Sequence, residues 1–157
     1  MNIVLQKEDV NIDNIQFLDK KENIIMENGF FTKLIYSDSY MTMSGLYLYF
    51  PIRLKSIFQN KAFFDYSENA ELIRSILLVE QNIIQYYKNI YHTTYSTFLS
   101  INKQFSTGKF KLNSFHNFYE NKENGFSIYK PCIIKISGIW ENSETMGITY
   151  KFLQCLI

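Results

Sequence analysis

Apolar residues recur at steps of three and four along residues 67–91 of the chain. The apolar positions are Leu72, Ile73, Ile76, Leu77, Ile83, Ile84, Tyr87 and Ile90. This spacing matches the 3.6-residue period and predicts an amphipathic helix of about seven turns. Ser67 is placed to act as its N-cap, and Glu68 and Glu71 suit the positive end of the helix dipole. The apolar stripe either packs against a sheet or binds a partner protein.

The pattern before this helix is typical of β-strands, since aromatic and β-branched residues cluster between short turn signals. The predicted strands cover residues 15–18, 30–36, 40–43 and 46–50. Ser44 and Gly45 separate the last two, which form either a tight hairpin or one strand with a glycine bulge. Pro51 fits a strand end or a sheet edge, because proline cannot donate a ladder hydrogen bond.

Beyond the long helix, a shorter helix is predicted over residues 94–105, and Gly108 stops it. Residues 109–112 and 126–129 then predict two more strands, the second closed by Pro131.

The last two predicted strands cover residues 132–140 and 148–156. We predict that Trp140 pairs with Ile148, because this register collects mostly apolar residues on one face. A slip of one residue mixes the two faces, which is costly where one face must be buried.

Strands, a helical middle and further strands together indicate a mainly β fold with a helical insertion, of the α+β class. We predict an antiparallel small barrel or curled sheet that carries one long helix at about residues 67–91. The length of 157 residues fits a single domain, residues 1–157, with one core.

Composition narrows the possible functions. Aromatic residues make up 17% of the chain, and the formal net charge is only +1. A dedicated duplex-DNA binder is usually strongly basic, so a nucleic-acid site here depends on local clustering of charge.

Motifs that carry catalysis or metal binding are absent from the sequence. His92 and His116 lack a second ligand at metal spacing, and there is no phosphate-binding loop or nucleophile elbow. The carboxylates of Asp38, Asp65, Glu141 and Glu144 lie in predicted turns, where solvation explains them. We therefore expect no cofactor, no metal and no enzymatic activity.

Cys132 and Cys155 lack metal-ligand spacing and fall on opposite faces of the last predicted hairpin, so we expect no disulfide between them. The first residues become charged too early for a signal peptide, and no apolar run approaches the ~20 residues that span a bilayer. These features predict an intracellular protein in a reducing compartment without a membrane partner.

Basic residues interleave with aromatic residues on the predicted strands. Single-strand binders use this combination, because cations follow the phosphates while rings stack on unpaired bases. Lys135 and Lys151 share the polar face of the last hairpin. Strand aromatics also pack across strands, which is the alternative explanation. The candidate nucleic-acid-binding residues are Lys33, Tyr47, Tyr49, Arg53, Lys55, Lys109, Lys111, Lys135 and Lys151.

Two segments carry a resemblance to a known group of proteins. Residues 134–141, Ile-Lys-Ile-Ser-Gly-Ile-Trp-Glu, followed by residues 147–152, Gly-Ile-Thr-Tyr-Lys-Phe, resemble the closing hairpin of small proteins encoded by large DNA viruses of protists. Residues 30–50 are similar to an earlier part of those proteins. Some of them are similar to the single-stranded DNA-binding proteins of short-tailed phages, which have an OB-fold. The phage-type proteins end in an acidic tail with a terminal aromatic residue, which this sequence lacks, so either the tail is missing or the family is a different one.

The resemblance implies an OB-like barrel and single-stranded DNA as the partner. Together with the strand pattern, it leads us to expect a non-enzymatic protein of viral DNA replication or recombination, located in the host cytoplasm, nucleus or viral factory. Self-association and replication proteins are further candidate contacts. The alternatives are a viral structural or assembly protein that binds other proteins, and a diverged replication nuclease.

Overall fold

The computed structural model describes residues 4–112 and 128–154. Within these two ranges the chain forms ten β-strands and two α-helices. The strands are β1 (Ile15–Phe17), β2 (Lys21–Asn23), β3 (Gly29–Ser37), β4 (Thr42–Met43), β5 (Leu46–Phe58), β6 (Lys61–Phe64), β7 (Ser96–Phe98), β8 (Lys109–Lys111), β9 (Ile128–Glu141) and β10 (Thr145–Gln154). The helices are α1 (Ala70–Tyr91) and α2 (Ser100–Ser106).

Strand β9 is the centre of the sheet, because long strands pair with it along both of its edges. Strand β10 lies along one edge of β9, antiparallel to it. On the other edge, β5 pairs with residues 128–136 and β3 with residues 138–141. The strand order is β1-β3-β9-β5-β6-β8. One long strand therefore holds both halves of the sheet together.

The sheet curls until its two ends approach each other. Leu112, the residue after β8, forms an isolated parallel bridge with Phe152 of β10. Continuous strand pairing does not extend across this seam, so the described strands form a curled sheet rather than a closed barrel. The predicted α+β class, with a curled antiparallel sheet and one long helix, is confirmed.

Helix α1 packs its apolar stripe on the inner face of the curled sheet. Ile73, Ile76, Ile83 and Tyr87 are buried in the same core cluster as the inward residues of the strands. The helix is preceded by a 3-10 turn at Ser67–Asn69, which continues the helical segment back to the predicted start. It ends at a left-handed residue, His92 (φ 52°).

Ser67 does not cap this helix as predicted. Its hydroxyl donates to Asp65 Oδ1 at 2.8 Å, and Asn69 is the residue at the N-cap position. The Asn69 side chain instead serves strand β5, accepting from Arg53 N and donating to Arg53 O.

The pairing of β9 with β10 contains a bulge. Gly138 lies opposite Thr149 and Ile136 opposite Tyr150, which leaves Ser137 without a partner on β10. A bulge shifts the alternation of the two faces by one residue. Residues 132, 134 and 136 face the core before the bulge, and residues 139 and 141 face it afterwards.

The predicted register of this hairpin is wrong. Trp140 pairs with Gly147, and Ile148 pairs with Ile139. The prediction assumed that side chains alternate regularly between the two faces from residue 132 to residue 140. The bulge at Ser137 inverts this alternation for the residues that follow it. Trp140 therefore lies on the outer face, over Gly147. The loop is also shorter than predicted, since β10 already starts at Thr145.

Glu141 is a second consequence of the inverted alternation. We predicted a solvated turn residue, but its side chain points into the protein and is 1% exposed. The Glu141 carboxylate accepts hydrogen bonds from the Tyr87 hydroxyl and from Lys20 Nζ, the latter at 3.0 Å. The Tyr87 hydroxyl also lies 3.2 Å from Thr32 Oγ1. Burial and the neighbouring Glu141 raise the pKa of Tyr87, so the phenol stays protonated.

Neither proline ends its strand. Among the described strands only β9 pairs with β5 at Pro51, so this proline fits the sheet-edge alternative of its prediction. Pro51 of β5 faces Pro131 of β9, and both strands continue on either side. The N–H of Tyr49, two positions before Pro51, points away from β9 and donates to the Leu5 carbonyl at 2.9 Å. Pro51 follows the same alternation, so its missing N–H removes no hydrogen bond to β9. Of the predicted strand 126–129, the first two residues lie outside the described ranges.

Two further segments differ from their predictions. The segment 94–105 is only partly helical, because Ser96–Phe98 forms β7, parallel to the start of β10, before α2 begins. Gly108 follows α2 with φ 71°, as its predicted stop requires. Thr42–Met43 pairs with β3 rather than with β5, so neither the predicted hairpin nor the predicted single strand forms.

Glu80 of α1 should stabilise the start of α2. It is 0% exposed, and its carboxylate accepts from Ile101 N at 2.9 Å and Asn102 N at 3.2 Å. Glu80→Ala leaves both donors without this acceptor, so we expect a loss of about 2–4 kcal/mol in the free energy of unfolding, measured by urea titration. Glu80→Gln keeps one acceptor oxygen and should lose less.

Comparison of the wild type with Glu80→Gln also tests the titration of Glu80. Burial raises the pKa of this carboxyl above its ordinary value of 4.5, so the folded protein binds the proton more tightly than the unfolded chain. Wild-type stability relative to Glu80→Gln should therefore fall as the pH rises above 4.5. Parallel pH profiles for the two proteins would contradict this expectation.

At Gly138 of β9, the backbone of β3 leaves no room for a side chain. A Cβ atom there would overlap the carbonyl oxygen of Thr32 and lie 2.8 Å from a ring carbon of Phe31. Because that carbonyl belongs to the neighbouring strand, Gly138→Ala should cost about 2 kcal/mol or more of unfolding free energy. The control is Thr149→Ala, directly opposite on β10, which adds no atom and should cost less than about 1 kcal/mol. Equal urea midpoints for the two variants would argue against this close approach.

Candidate nucleic-acid interface

The sheet has an inner face, covered by α1 and α2, and an outer face. On β5 the inner positions Leu46, Leu48, Phe50 and Ile52 are fully buried, whereas the alternate residues are half-buried. Cross-strand partners share a face, so the register of the sheet identifies the other outward residues. The outward residues of β3, β5, β9 and β10 include Phe31, Lys33, Tyr47, Tyr49, Arg53, Lys135, Trp140 and Lys151.

One row of the outer face brings three predicted residues together. Tyr47 of β5 lies opposite Lys135 of β9, which lies opposite Lys151 of β10. The Lys135 ammonium is 5.2 Å from the centroid of the Tyr47 ring, a cation–π contact. The two lysines face each other directly, and like charges in that position destabilise a sheet.

A second lysine pair continues this row across the seam of the sheet. Lys61 of β6 lies opposite Lys111 of β8, and both side chains are exposed. Lys111 precedes Leu112, and Lys151 precedes Phe152, the two buried members of the bridge that joins the ends of the sheet. In a parallel bridge the preceding residues lie side by side, and here both point outward.

The result is a continuous row of positive charge, which we call the lysine band. It crosses four strands, so its length is about 15 Å at the usual strand spacing of about 4.8 Å. The band consists of Lys61, Lys111, Lys151 and Lys135, in that spatial order.

Acidic side chains do not neutralise the lysine band within the described ranges. Strands β3, β5, β6, β8 and β10 contain no Asp or Glu, and the only acidic residue of β9 is Glu141, which points inward. The exposed carboxylates of the described ranges lie elsewhere, in the N-terminal part up to the β2–β3 turn, at the start of the long helix and, at Glu144, in the β9–β10 turn. They include Glu8, Asp9, Asp13, Glu68 and Glu71. A nearly neutral chain thus carries a locally basic surface.

The remaining predicted residues lie at varying distances from the band. Lys33 is exposed one row further along β9, opposite Gly138. Tyr49 is outward and half-buried, and Arg53 lies further along β5 on the same face. Lys109 is exposed on β8 beside Lys111.

Lys55 does not belong with this group. It sits at a shift in the pairing of β5 with β6 and forms an ion pair with Asp65, Nζ to Oδ2 3.2 Å. Hydrogen bonds from Ser67 and Lys55, and the charge of Lys55, lower the pKa of Asp65, so this pair is ionised and its charge is compensated.

Sequence reasoning missed an aromatic cluster at one end of the outer face. Phe31 lies opposite Trp140, Trp140 opposite Gly147, and Gly147 opposite Phe98 of β7. Because Gly147 has no side chain, the rings of Phe98 and Trp140 meet above it, with centroids 6.0 Å apart. The signal in the sequence was the pair of glycines, Gly138 and Gly147, which lie beneath these rings. Lys61 was missed as well, because it follows a turn and its partner on β8 is distant in sequence.

Comparison of the chain with protein-family models, with curated proteins and with solved structures finds no match.

In the part of the chain that the structure describes, no group of three His, Cys, Asp or Glu residues is close enough to hold a metal ion. None of the described helices is both long enough and apolar enough to cross a membrane. Cys132 is buried on β9. Cys155 lies outside the described ranges, so the expected absence of a disulfide stays a prediction.

The lysine pairs should reduce stability in a salt-dependent way. Lys111→Gln removes the repulsion from Lys61, and we expect the unfolding free energy to rise by about 0.5 kcal/mol at low salt. The gain should vanish at about 1 M salt, where charges are screened beyond ~3 Å. The control is Lys55→Gln, which removes an attractive pair and should be neutral or slightly destabilising. A destabilised Lys111→Gln protein would show that the charge is compensated in the fold.

Proposed function

We propose that this domain is a non-enzymatic binder of single-stranded DNA and that the lysine band follows the phosphate backbone. The observation that carries this proposal is the direct opposition of Lys135 with Lys151 and of Lys61 with Lys111. Folding alone disfavours both pairs, whereas a bound polyanion turns each of them into a favourable contact.

The aromatic residues beside the band favour an unpaired strand over a duplex. Tyr47 lies at one end of the band, with its ring against Lys135. Unpaired bases expose faces that stack on such rings, whereas a duplex presents mainly its phosphates to a sheet surface. The modest net charge of +1 supports weak, salt-dependent binding with little sequence preference. A role in viral DNA replication or recombination is part of this proposal and is supported by the resemblance of residues 134–141 and 147–152.

A second candidate, a structural or assembly protein, is favoured by one feature. Ile24 and Ile25, at the tip of the β2–β3 hairpin, are 100% and 98% exposed. Adjacent apolar side chains in such a position suit contact with another protein better than contact with DNA.

Fluorescence anisotropy with a labelled oligothymidine tests the proposal. Four lysine–phosphate contacts predict a slope of log K against log salt of about −3, from ~0.7 per contact on single strands. Lys135→Ala and Lys111→Ala should each make the slope shallower by about 0.7 and weaken binding most at low salt. Lys55→Ala is the matched control, because it removes a lysine of the same sheet that Asp65 already neutralises.

Three outcomes would contradict the proposal. One is a lack of binding at micromolar protein in low salt, which would favour the assembly-protein candidate. Another is an equal loss for Lys55→Ala and Lys135→Ala, which would indicate attraction by net charge rather than a site. The third is equal affinity for a duplex of the same length, which would remove the argument from unpaired bases.

A further inference from the structure

The geometry points to Trp140, Phe31 and Phe98 as a stacking platform for unpaired nucleobases. This inference rests on the proposed function and adds a base-recognition subsite to it. We call this cluster the aromatic platform. Its rings lie on the outer face, two rows along β9 from Lys135. Trp140 and Phe31 are half-buried, and Phe98 is 38% exposed.

Cations lie on both sides of the platform. Lys103 of α2 places its ammonium 5.1 Å from the centroid of the Phe98 ring. On the other side, Lys33 occupies the row between the platform and the lysine band. A base that stacks on the rings would therefore have a cation within reach of the phosphate on either side of it. Single-strand binders combine cations that follow the backbone with aromatic rings that stack on the bases.

The rings also have a structural role, because they cover two glycines. A Cβ atom on Gly147 would lie 2.7 Å from the Trp140 indole, and one on Gly138 would lie 2.8 Å from the Phe31 ring. A test must therefore measure base stacking by a signal that does not depend on how the rings pack over the two glycines. Trp140 is the only tryptophan in the chain, so its fluorescence reports on this subsite alone.

The experiment compares two probes with the intact protein, an oligothymidine and an abasic oligonucleotide of the same length. Both carry the same phosphates, but only the first has bases. We expect oligothymidine to quench Trp140 fluorescence and the abasic probe to leave it unchanged, although the lysine band still binds it. Trp140→Leu keeps an apolar cover over Gly147 but removes the stacking surface. It should weaken oligothymidine binding about 10-fold at every salt concentration, with an unchanged salt slope.

Trp140→Phe retains a ring and should bind within about threefold of the wild type, which separates the loss of stacking from a loss of fold. The inference is overturned if oligothymidine binds by anisotropy while Trp140 fluorescence stays constant and Trp140→Leu binds like the wild type. In that case the proposed function survives. It is also overturned if both probes quench the tryptophan equally, since phosphates alone would then account for the signal. If neither probe binds, the proposed function fails together with this subsite.

Discussion

The bulge at Ser137 is the constraint on which the rest of the sheet depends. Strand β9 pairs with β10 along one edge and must change partner from β5 to β3 along the other. The bulge lies at this change of partner. Its extra residue inverts the alternation in the second half of β9, so that even-numbered residues face inward before the bulge and outward after it. Trp140 consequently lies outside and Glu141 inside. A strand without the bulge would bury the indole and expose the carboxylate, as the regular alternation predicts.

The inward Glu141 in turn determines how helix α1 is attached. A buried carboxylate is costly unless it is paired and hydrogen-bonded. The Tyr87 hydroxyl from α1 and the Lys20 ammonium from the β1–β2 connection satisfy it, and Tyr87 also reaches Thr32 of β3. These directional hydrogen bonds fix the position of α1 along its axis relative to β3 and β9, whereas apolar packing alone would let the helix slide. Glu80 has the corresponding role between α1 and α2, where its carboxylate holds the first amides of the shorter helix.

Local pattern was sufficient for α1, for β3 and for the existence of the last hairpin, because each has a period that its own residues display. It was insufficient where a distant contact decides the outcome. Residues 96–98 form a strand only because β10 lies beside them, and Pro51 is tolerated only because its N–H side faces away from β9. The shared face of Lys135 and Lys151 survived the wrong register, because a slip of one residue combined with a bulge of one residue restores the original parity between these two positions.

The candidate site also depends on contacts between residues that are distant in the sequence, so local pattern could not predict it. The members of the lysine band come from four strands, and no two are closer than 16 residues in the sequence. Only the curl of the sheet, joined at Leu112 and Phe152, brings Lys111 beside Lys151. Net charge cannot reveal such a band, because the exposed carboxylates of the described ranges lie on other surfaces. Repulsion within the band opposes folding, which is the reason for proposing an anionic ligand there, and the neighbouring rings are the reason for proposing a ligand with exposed bases.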